Sequence, residues 1–246
     1  MSDTTPRYSV VIPCYNEADN IVVLVEEVVQ AMRDLGPYEV VVVDDCSTDG
    51  SQERLRAALP RWPGVLRVVA HAVNRGQSAA LCTGVDAARG EWIATLDGDG
   101  QNDPADIPAL AARIPRDGEG WVIICGHRKR RRDTWVRRLS SKVANGVRSR
   151  ALGDATPDTG CGLKVFPRRL FLLMPRFDHM HRFMPALAQR CGAISTSVEV
   201  NHRPRLHGQS KYGIGNRLWV GIVDLFGVMW LRRRAFRPSR CDELGP

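Results

Sequence analysis

Four consecutive valines, Val40-Val41-Val42-Val43, constrain this chain more than any other feature. A half-exposed strand alternates apolar and polar side chains, because successive residues face opposite sides of the sheet. An unbroken β-branched run is instead a strand covered on both faces, as in parallel sheets flanked by helices. Tyr8 to Ile12 is a second such run, stopped by Pro13, and reads as the first strand. Asn20 to Met32 follows with Ile21, Leu24, Val25, Val28 and Val29 at helical spacing, and Gly36-Pro37 ends it. After the valines the pattern gives a helix over Ser51 to Leu59, a strand over Val65 to Val69, a helix over Gln77 to Ala88 and a strand over Glu91 to Leu96. Strands separated by helices imply right-handed crossovers and a doubly wound, mostly parallel α/β sheet of Rossmann-like type.

The second half is less regular. Trp121 to Cys125, Gly162 to Phe166 and Ser195 to His202 read as strands, and Thr134 to Leu152 and His179 to Cys191 as helices. Arg203 to Gly213, rich in proline, glycine and basic residues, reads as a mobile loop. Without an internal repeat or a low-complexity linker, one domain over residues 1–213 is expected, followed by a tail over 214–246. The apolar stretch Leu218 to Leu231 is too short for a bilayer core, which takes about 20 residues. It suits either a core helix or an interfacial one, with tryptophans at headgroup depth and Arg232, Arg233 and Arg234 on anionic lipid.

Ligands of doubly wound sheets bind beyond the carboxyl ends of the strands. Those ends carry Pro13-Cys14-Tyr15-Asn16-Glu17, Asp44-Asp45-Cys46-Ser47-Thr48-Asp49, Asn74-Arg75-Gly76 and Asp97-Gly98-Asp99-Gly100-Gln101. In the last loop Asp97, Asp99 and Gln101 stand at alternate positions, which on extended backbone fall on one side. Two carboxylates and an amide oxygen form part of a shell for a hard divalent cation, Mg2+ or Mn2+, whose open positions take substrate phosphates. The competing readings are a solvated acidic-glycine turn and a calcium loop. A calcium loop fails, because its sixth and twelfth positions hold Asn102 and Pro108 in place of glycine and glutamate. Neither a Gly-x-Gly-x-x-Gly fingerprint nor a P-loop occurs.

The seven cysteines have no Cys-x-x-Cys spacing and no signal peptide precedes them, which suggests reduced thiols in a cytoplasmic protein, with Cys14, Cys82 and Cys125 as small core residues. The formal charge of +8 gathers in Arg128, Lys129, Arg130, Arg131, Arg132, Arg137 and Arg138, and again at Arg232 to Arg234. Such blocks attract phosphates or an anionic bilayer. Nucleic acid is not expected as a partner, since neither an aromatic-interleaved surface nor a zinc-finger spacing accompanies the charge.

Taken together, Pro13-x-Tyr15-Asn16-Glu17, Asp44-Asp45-x-Ser47-x-Asp49 and Asp97-x-Asp99-x-Gln101 resemble family 2 glycosyltransferases, and among these the dolichyl- and polyprenyl-phosphate mannose synthases. The resemblance covers about residues 7–213. It implies a GT-A fold and an inverting transfer from a nucleotide sugar, GDP-mannose being favoured, to a polyprenyl phosphate. Pro13, Tyr15, Glu17 and Asp45 would then hold the nucleoside, with Asp44, Asn74 and Gly76 close by. Asp97, Asp99 and Gln101 would hold the metal against the diphosphate. Arg128, Arg137 and Ser141 would bind the lipid phosphate, next to Lys142 and Asn145. Arg205-x-His207-Gly208-x-Ser210-Lys211 resembles the loop that closes over the phosphates, and Arg205 and Lys211 count as catalytic.

The chemistry agrees with the resemblance. A hydroxyl acceptor needs a general base, often a Glu-Asp dyad in the second half of related enzymes. Between Gly160 and Lys211 Asp178 stands without such a dyad. A phosphate monoester, with its second pKa near 6, is already mostly ionised at pH 7 and attacks without surrendering a proton. The other readings are a transferase that uses a UDP-sugar and a saccharide acceptor, and a nucleotide- or membrane-binding module without activity. The long membrane-spanning tail of some relatives is missing, so peripheral association with the cytoplasmic face of the cell membrane is expected.

Overall fold

The computed structural model describes residues 5–115, 121–128, 152–153, 156–204 and 215–235, with residues 215–220 described by backbone alone. The elements are β1 (Tyr8–Cys14), α1 (Ile21–Met32), β2 (Tyr38–Asp44), α2 (Ser51–Ala58), β3 (Leu66–Ala70), α3 (Gln77–Ala87) and β4 (Trp92–Thr95). They continue with α4 (Ile107–Ala111), β5 (Val122–Arg128), β6 (Lys164–Pro167), α5 (Arg168–Leu172), α6 (Met184–Arg190), β7 (Ile194–Val200) and α7 (Gly215–Arg233). The strands form one sheet in the order β3-β2-β1-β4-β6-β5-β7. All run parallel except β6, which lies antiparallel between β4 and β5.

The four valines are fully buried and divide between two apolar layers. Val40 and Val42 face Ile21, Leu24, Val25 and Val28 of α1 and Leu55 of α2. Val41 and Val43 face Ala80, Leu81 and Val85 of α3, in the layer that also holds Phe166, Phe171 and Leu187. At roughly 1.5–3 kcal/mol for each fully buried Val, Leu, Ile or Phe, these layers supply the main drive for folding. Cys14 and Cys125 lie in the core as expected, whereas Cys82 is only half-buried.

The reversed β6 has a consequence for the site. Its amino end, Lys164, pairs with Thr95 at the carboxyl end of β4. The same edge receives the carboxyl ends of β5 at Arg128 and of β7 at Val200. Residues 160–164 therefore arrive beside the acidic loop although they precede a strand.

Several expectations shift. Strand β5 runs on to Arg128, so this arginine is a strand-end residue and not a member of the following loop. The helix expected over His179 to Cys191 is a 3-10 turn, Met180–Arg182, followed by α6, because Pro185 fits the first turn of a helix but not its interior. The short helices α4 and α5 carry too few turns to leave a periodic pattern. Most of the helix expected over Thr134 to Leu152 lies outside the described residues, as do Arg137, Ser141, Lys142, Asn145 and the segment from Arg205 to Lys211.

Helix α7 packs on the core along one side and leaves the other side exposed. Val228 is fully buried, and Leu225, Met229 and Leu231 pack on the second apolar layer. Arg190 Nε donates to the Leu231 carbonyl at 2.9 Å and ties α7 to α6. The opposite side leaves Val223, Phe226 and Trp230 60–65% exposed. Among the described residues no helix is long and apolar enough to cross a membrane.

Candidate active site

The first two loops are laced together by their own polar side chains. Asn16 N–H donates to Ser47 Oγ at 2.8 Å, Thr48 N–H to Asn16 Oδ1 at 2.7 Å, Glu17 N–H to Ser51 Oγ at 2.9 Å and Ala18 N–H to Asp49 Oδ2 at 3.0 Å. Asn16 and Cys46 adopt left-handed backbone, φ 53° and 62°, a conformation that costs energy in non-glycine residues and concentrates at functional sites. Tyr15 stands exposed at the rim and Pro13 is half-buried. Glu17 is buried, and its Oε2 accepts from Asn20 Nδ2 at 2.8 Å.

The adjacent acids Asp44 and Asp45 do different work. Asp44 is fully buried, and its Oδ2 accepts from Ser47 N–H at 3.2 Å while Oδ1 has no hydrogen-bond partner among the described residues. It shapes the second loop from beneath. Asp45 organises the third loop: it accepts from Arg75 N–H at 2.9 Å and Gly76 N–H at 2.8 Å, and its backbone carbonyl accepts from Asn74 Nδ2 at 3.2 Å. His71 Nδ1 lies 2.7 Å from Asp45 Oδ1, and its Nε2 lies 2.9 Å from Thr83 Oγ1. Strand β3 and helix α3 thereby hold the Asp45 carboxylate from behind.

The acidic loop is a turn and not a continuation of β4. The strand ends at Thr95, residues 98–99 turn, and Gly100 takes φ +71°. Asp99 Oδ1 accepts from Gln101 N–H at 3.1 Å and fixes that turn. The two carboxylates still face one region. Burial, and next the negative charge of Asp99, push the Asp97 carboxyl up to about 6, against the opposing pull of Lys164, Arg128 and a hydrogen bond from Gln77. Gln77 Nε2, in the first turn of α3, donates to Asp97 Oδ1 at 2.7 Å. Among the described residues no three His, Cys, Asp or Glu side chains gather to hold a metal ion. Two mutually repelling carboxylates fit a divalent cation only when further oxygen ligands complete its shell.

The far side of the loop is basic. Lys164 is buried and donates to the Cys161 carbonyl. Arg128 forms a bidentate pair with Asp158, Nε to Oδ2 at 2.6 Å and Nη2 to Oδ1 at 2.8 Å. Its charge reaches Asp97, yet its fork is already committed to a carboxylate. Thr95 Oγ1 donates to the Gly162 carbonyl at 2.6 Å, so the 160–164 segment is bonded to β4. A Cβ at position 162 would collide with the Asp97 carboxylate, and only glycine allows this approach. Arg203 closes the edge. Its N–H donates to the Gln101 carbonyl at 3.0 Å, and its guanidinium pairs with Glu27 at 2.9 and 2.7 Å.

Gln77, Lys164, Gly162, His71, Asp158 and Arg203 belong to this neighbourhood although no motif marked them. Their partners lie far away in sequence, and only the position of Gln77 just after Asn74-Arg75-Gly76 hinted at a role.

A doubly wound sheet with a carboxylate pair and laced polar loops at one edge is the GT-A architecture of sugar-nucleotide chemistry. Residues 9–172 match glycosyl transferase family 2, and the chain belongs to that family. It is 38% identical over 237 residues to the dodecaprenyl-phosphate galacturonate synthase of Rhizobium johnstonii, with 94% of this chain and 69% of that protein covered. It is also 38% identical over 219 residues to the undecaprenyl-phosphate 4-deoxy-4-formamido-L-arabinose transferase of Edwardsiella ictaluri, with 87% and 66% covered. With the Serratia proteamaculans enzyme of the same name it shares 36% over 211 residues, 85% and 63% covered. The chain thus spans about two thirds of the length of these relatives. Glucosyl-3-phosphoglycerate synthase from Mycobacterium tuberculosis, solved with Mn2+, UDP and phosphoglyceric acid, superposes with a TM-score of 0.67 at 20% identity over 95% of this chain and 80% of that one. At that identity the likeness is one of fold.

Proposed function

We propose that this chain transfers a sugar, with inversion, from a nucleotide-sugar donor to a polyprenyl phosphate. The observation that carries the reading is the partly buried Asp97 beside Asp99, with Gln77, Lys164 and Arg128 around it, in a chain similar to named polyprenyl-phosphate sugar transferases. Asp97, Asp99 and Gln101 would hold Mg2+ or Mn2+, which would neutralise the leaving diphosphate. The Mn2+ and UDP complexes of the structural neighbour support that assignment.

Asp45, through the 74–76 loop, and Tyr15 at the rim would seat the nucleoside. An oxygen of the acceptor phosphate attacks the anomeric carbon from the side opposite the diphosphate. The bond from that carbon to the β-phosphate oxygen breaks, and its electron pair leaves with the nucleoside diphosphate. No proton has to move. The chain's task is to position two anions and stabilise the departing charge. Arg128, Arg137, Ser141, Arg205 and Lys211 remain the residues proposed for the phosphates, with the Asp158 pair orienting Arg128.

The relatives are named for galacturonate and 4-deoxy-4-formamido-L-arabinose in place of mannose, and the fold neighbour was solved with UDP, which together move the favoured donor from GDP-mannose to a uridine-linked sugar. The acceptor lies in a bilayer, and the exposed face of α7 supports docking on an anionic one. Val223, Phe226 and Trp230 bring roughly 1.5–3 kcal/mol each on full burial, and Arg233 and Arg234 about 1 kcal/mol each near anionic lipid.

The test is transfer by the purified chain. With Mn2+ or Mg2+ and undecaprenyl phosphate, one of UDP-galacturonate, UDP-glucose and GDP-mannose should yield a glycosylated lipid, and Asp99→Ala should abolish turnover without lowering the melting temperature. Transfer to a soluble saccharide alone would replace this reading with the saccharide-acceptor one, for which Asp178, next to Gly76, is the carboxylate to mutate.

A further inference from the structure

The segment Asp178–Arg182 closes one side of the site, and nothing in the sequence motifs accounts for it. A Cβ at Gly76 would lie 3.9 Å from Asp178 Oδ1, which sets the segment against the loop that Asp45 organises. His179 is in left-handed backbone at φ 62°, joining Asn16 and Cys46 as the non-glycine residues with positive φ among those described. All three sit at the edge of this site, as strain held by surrounding structure tends to do.

His181 follows in the 3-10 turn. Its Nδ1 lies 2.8 Å from Ser78 Oγ, and its own N–H donates to that oxygen at 3.4 Å. With the Ser78 hydroxyl proton directed to Nδ1, the ring proton sits on Nε2, and this is the tautomer assigned in the proposal below. Nε2 has no partner among the described residues. Burial, and next the positive charges of Arg182, Lys164 and His179, drive the ring's pKa down to about 3, so it is uncharged at any working pH.

The position follows from two consecutive residues of α3. Gln77 reaches Asp97 and Ser78 reaches His181. Lys164 influences both Asp97 and His181. Across the sheet, the nucleoside loops belong to β2 and β1, the acidic loop to β4, and Lys164 to β6. A donor laid along that order puts its diphosphate over β4 and its sugar over the β4–β6 side, beside Lys164, whose charge reaches His181.

We propose that His181 is a catalytic residue that donates its Nε2–H to the transferred sugar, held in that tautomer by Ser78. This rests on the sugar-transfer reading above. A neutral donor suits the place: it gives direction to a sugar oxygen without competing with the metal and cations for the diphosphate. During transfer the ring neither gains nor loses a proton.

The experiment measures the affinity that the sugar adds. Binding of UDP, and of whichever of UDP-galacturonate and UDP-glucose the wild-type chain turns over, is measured with Mn2+ for wild type, His181→Ala, His181→Asn and Ser78→Ala, with thermal unfolding as the fold control. His181→Ala should leave UDP affinity within about twofold and lower the sugar's added affinity roughly tenfold. It should lower turnover roughly 100-fold. His181→Asn, whose amide can still donate, should recover part of both, and Ser78→Ala should fall between. Equal loss for UDP and the UDP-sugar, or wild-type turnover in His181→Ala, would overturn the role of His181. Failure of the wild type to transfer sugar from any of UDP-galacturonate, UDP-glucose and GDP-mannose would overturn the sugar-transfer reading itself, and this inference with it.

Discussion

Burial and the Asp99 charge raise the Asp97 carboxyl from 3.8 to about 6, and the sign of that shift has two measurable effects. Without metal the fold favours the protonated acid, a stabilisation present below about pH 4 and lost as pH rises through about 6. Metal binding requires the carboxylate and so expels the proton. The Mn2+ affinity of the UDP-bound chain should therefore fall about tenfold per unit below pH 6 and level off above it. Calorimetric titration at pH 5, 6 and 7.5 reads this directly, and a flat profile would contradict it. Gly162→Ala should act on the same carboxylate from the side. The added methyl should cost about 1–3 kcal/mol of stability as an overpacked contact, and should weaken Mn2+ binding. Wild-type Mn2+ affinity in that variant would refute the close approach. The two acids themselves were legible, since Asp97 and Asp99 stand at alternate positions of one short motif. The groups that tune them were not: Gln77 and Lys164 lie 20 and 67 positions from Asp97, and nothing local ties them to it.

At the scale of elements, the strands of the first half follow from hydrophobic pattern alone, because a strand buried on both faces leaves an unbroken β-branched run. The valines bear this out by splitting between the two layers. The reversal of β6 was not legible. Lys164–Pro167 is four residues long, and its direction is set by pairing with Trp92–Thr95, which no periodicity encodes. Helix α7 was legible in outline, but which of its sides packs was not. Its exposed side gives a prediction that separates docking from stability. Replacing Val223, Phe226 and Trp230 together with serine should abolish binding to vesicles containing anionic lipid and leave the melting temperature within about 2 °C, since these side chains cover nothing in the core. Sedimentation with vesicles checks the first part. Retained binding would move the membrane contact elsewhere, and a large drop in melting temperature would make this side a packing surface.

Across the whole molecule, six parallel strands and one reversed strand bring seven chain segments to a single edge. Laced polar loops lie over β1 to β3, the carboxylate pair follows β4, and cations from β5 and β6 stand beyond it. That gradient, from hydrogen-bonding loops through an acidic pair to a basic side, matches a donor whose diphosphate must sit between its nucleoside and an anionic acceptor. In the proposed mechanism a general base is dispensable. Asp158 is consumed by Arg128, and an ionised phosphate brings its own nucleophilic oxygen. The direct test compares undecaprenyl phosphate with undecaprenol as acceptors, using the donor that the chain turns over and Mn2+ at pH 7.5. Transfer to the phosphate with at least about 1,000-fold less to the alcohol, abolished by Asp99→Ala, is the predicted result, since the alcohol lacks both the charge that the cations bind and an ionised nucleophile. Comparable transfer to the alcohol would contradict the account, because it would require a base that the proposed mechanism does without.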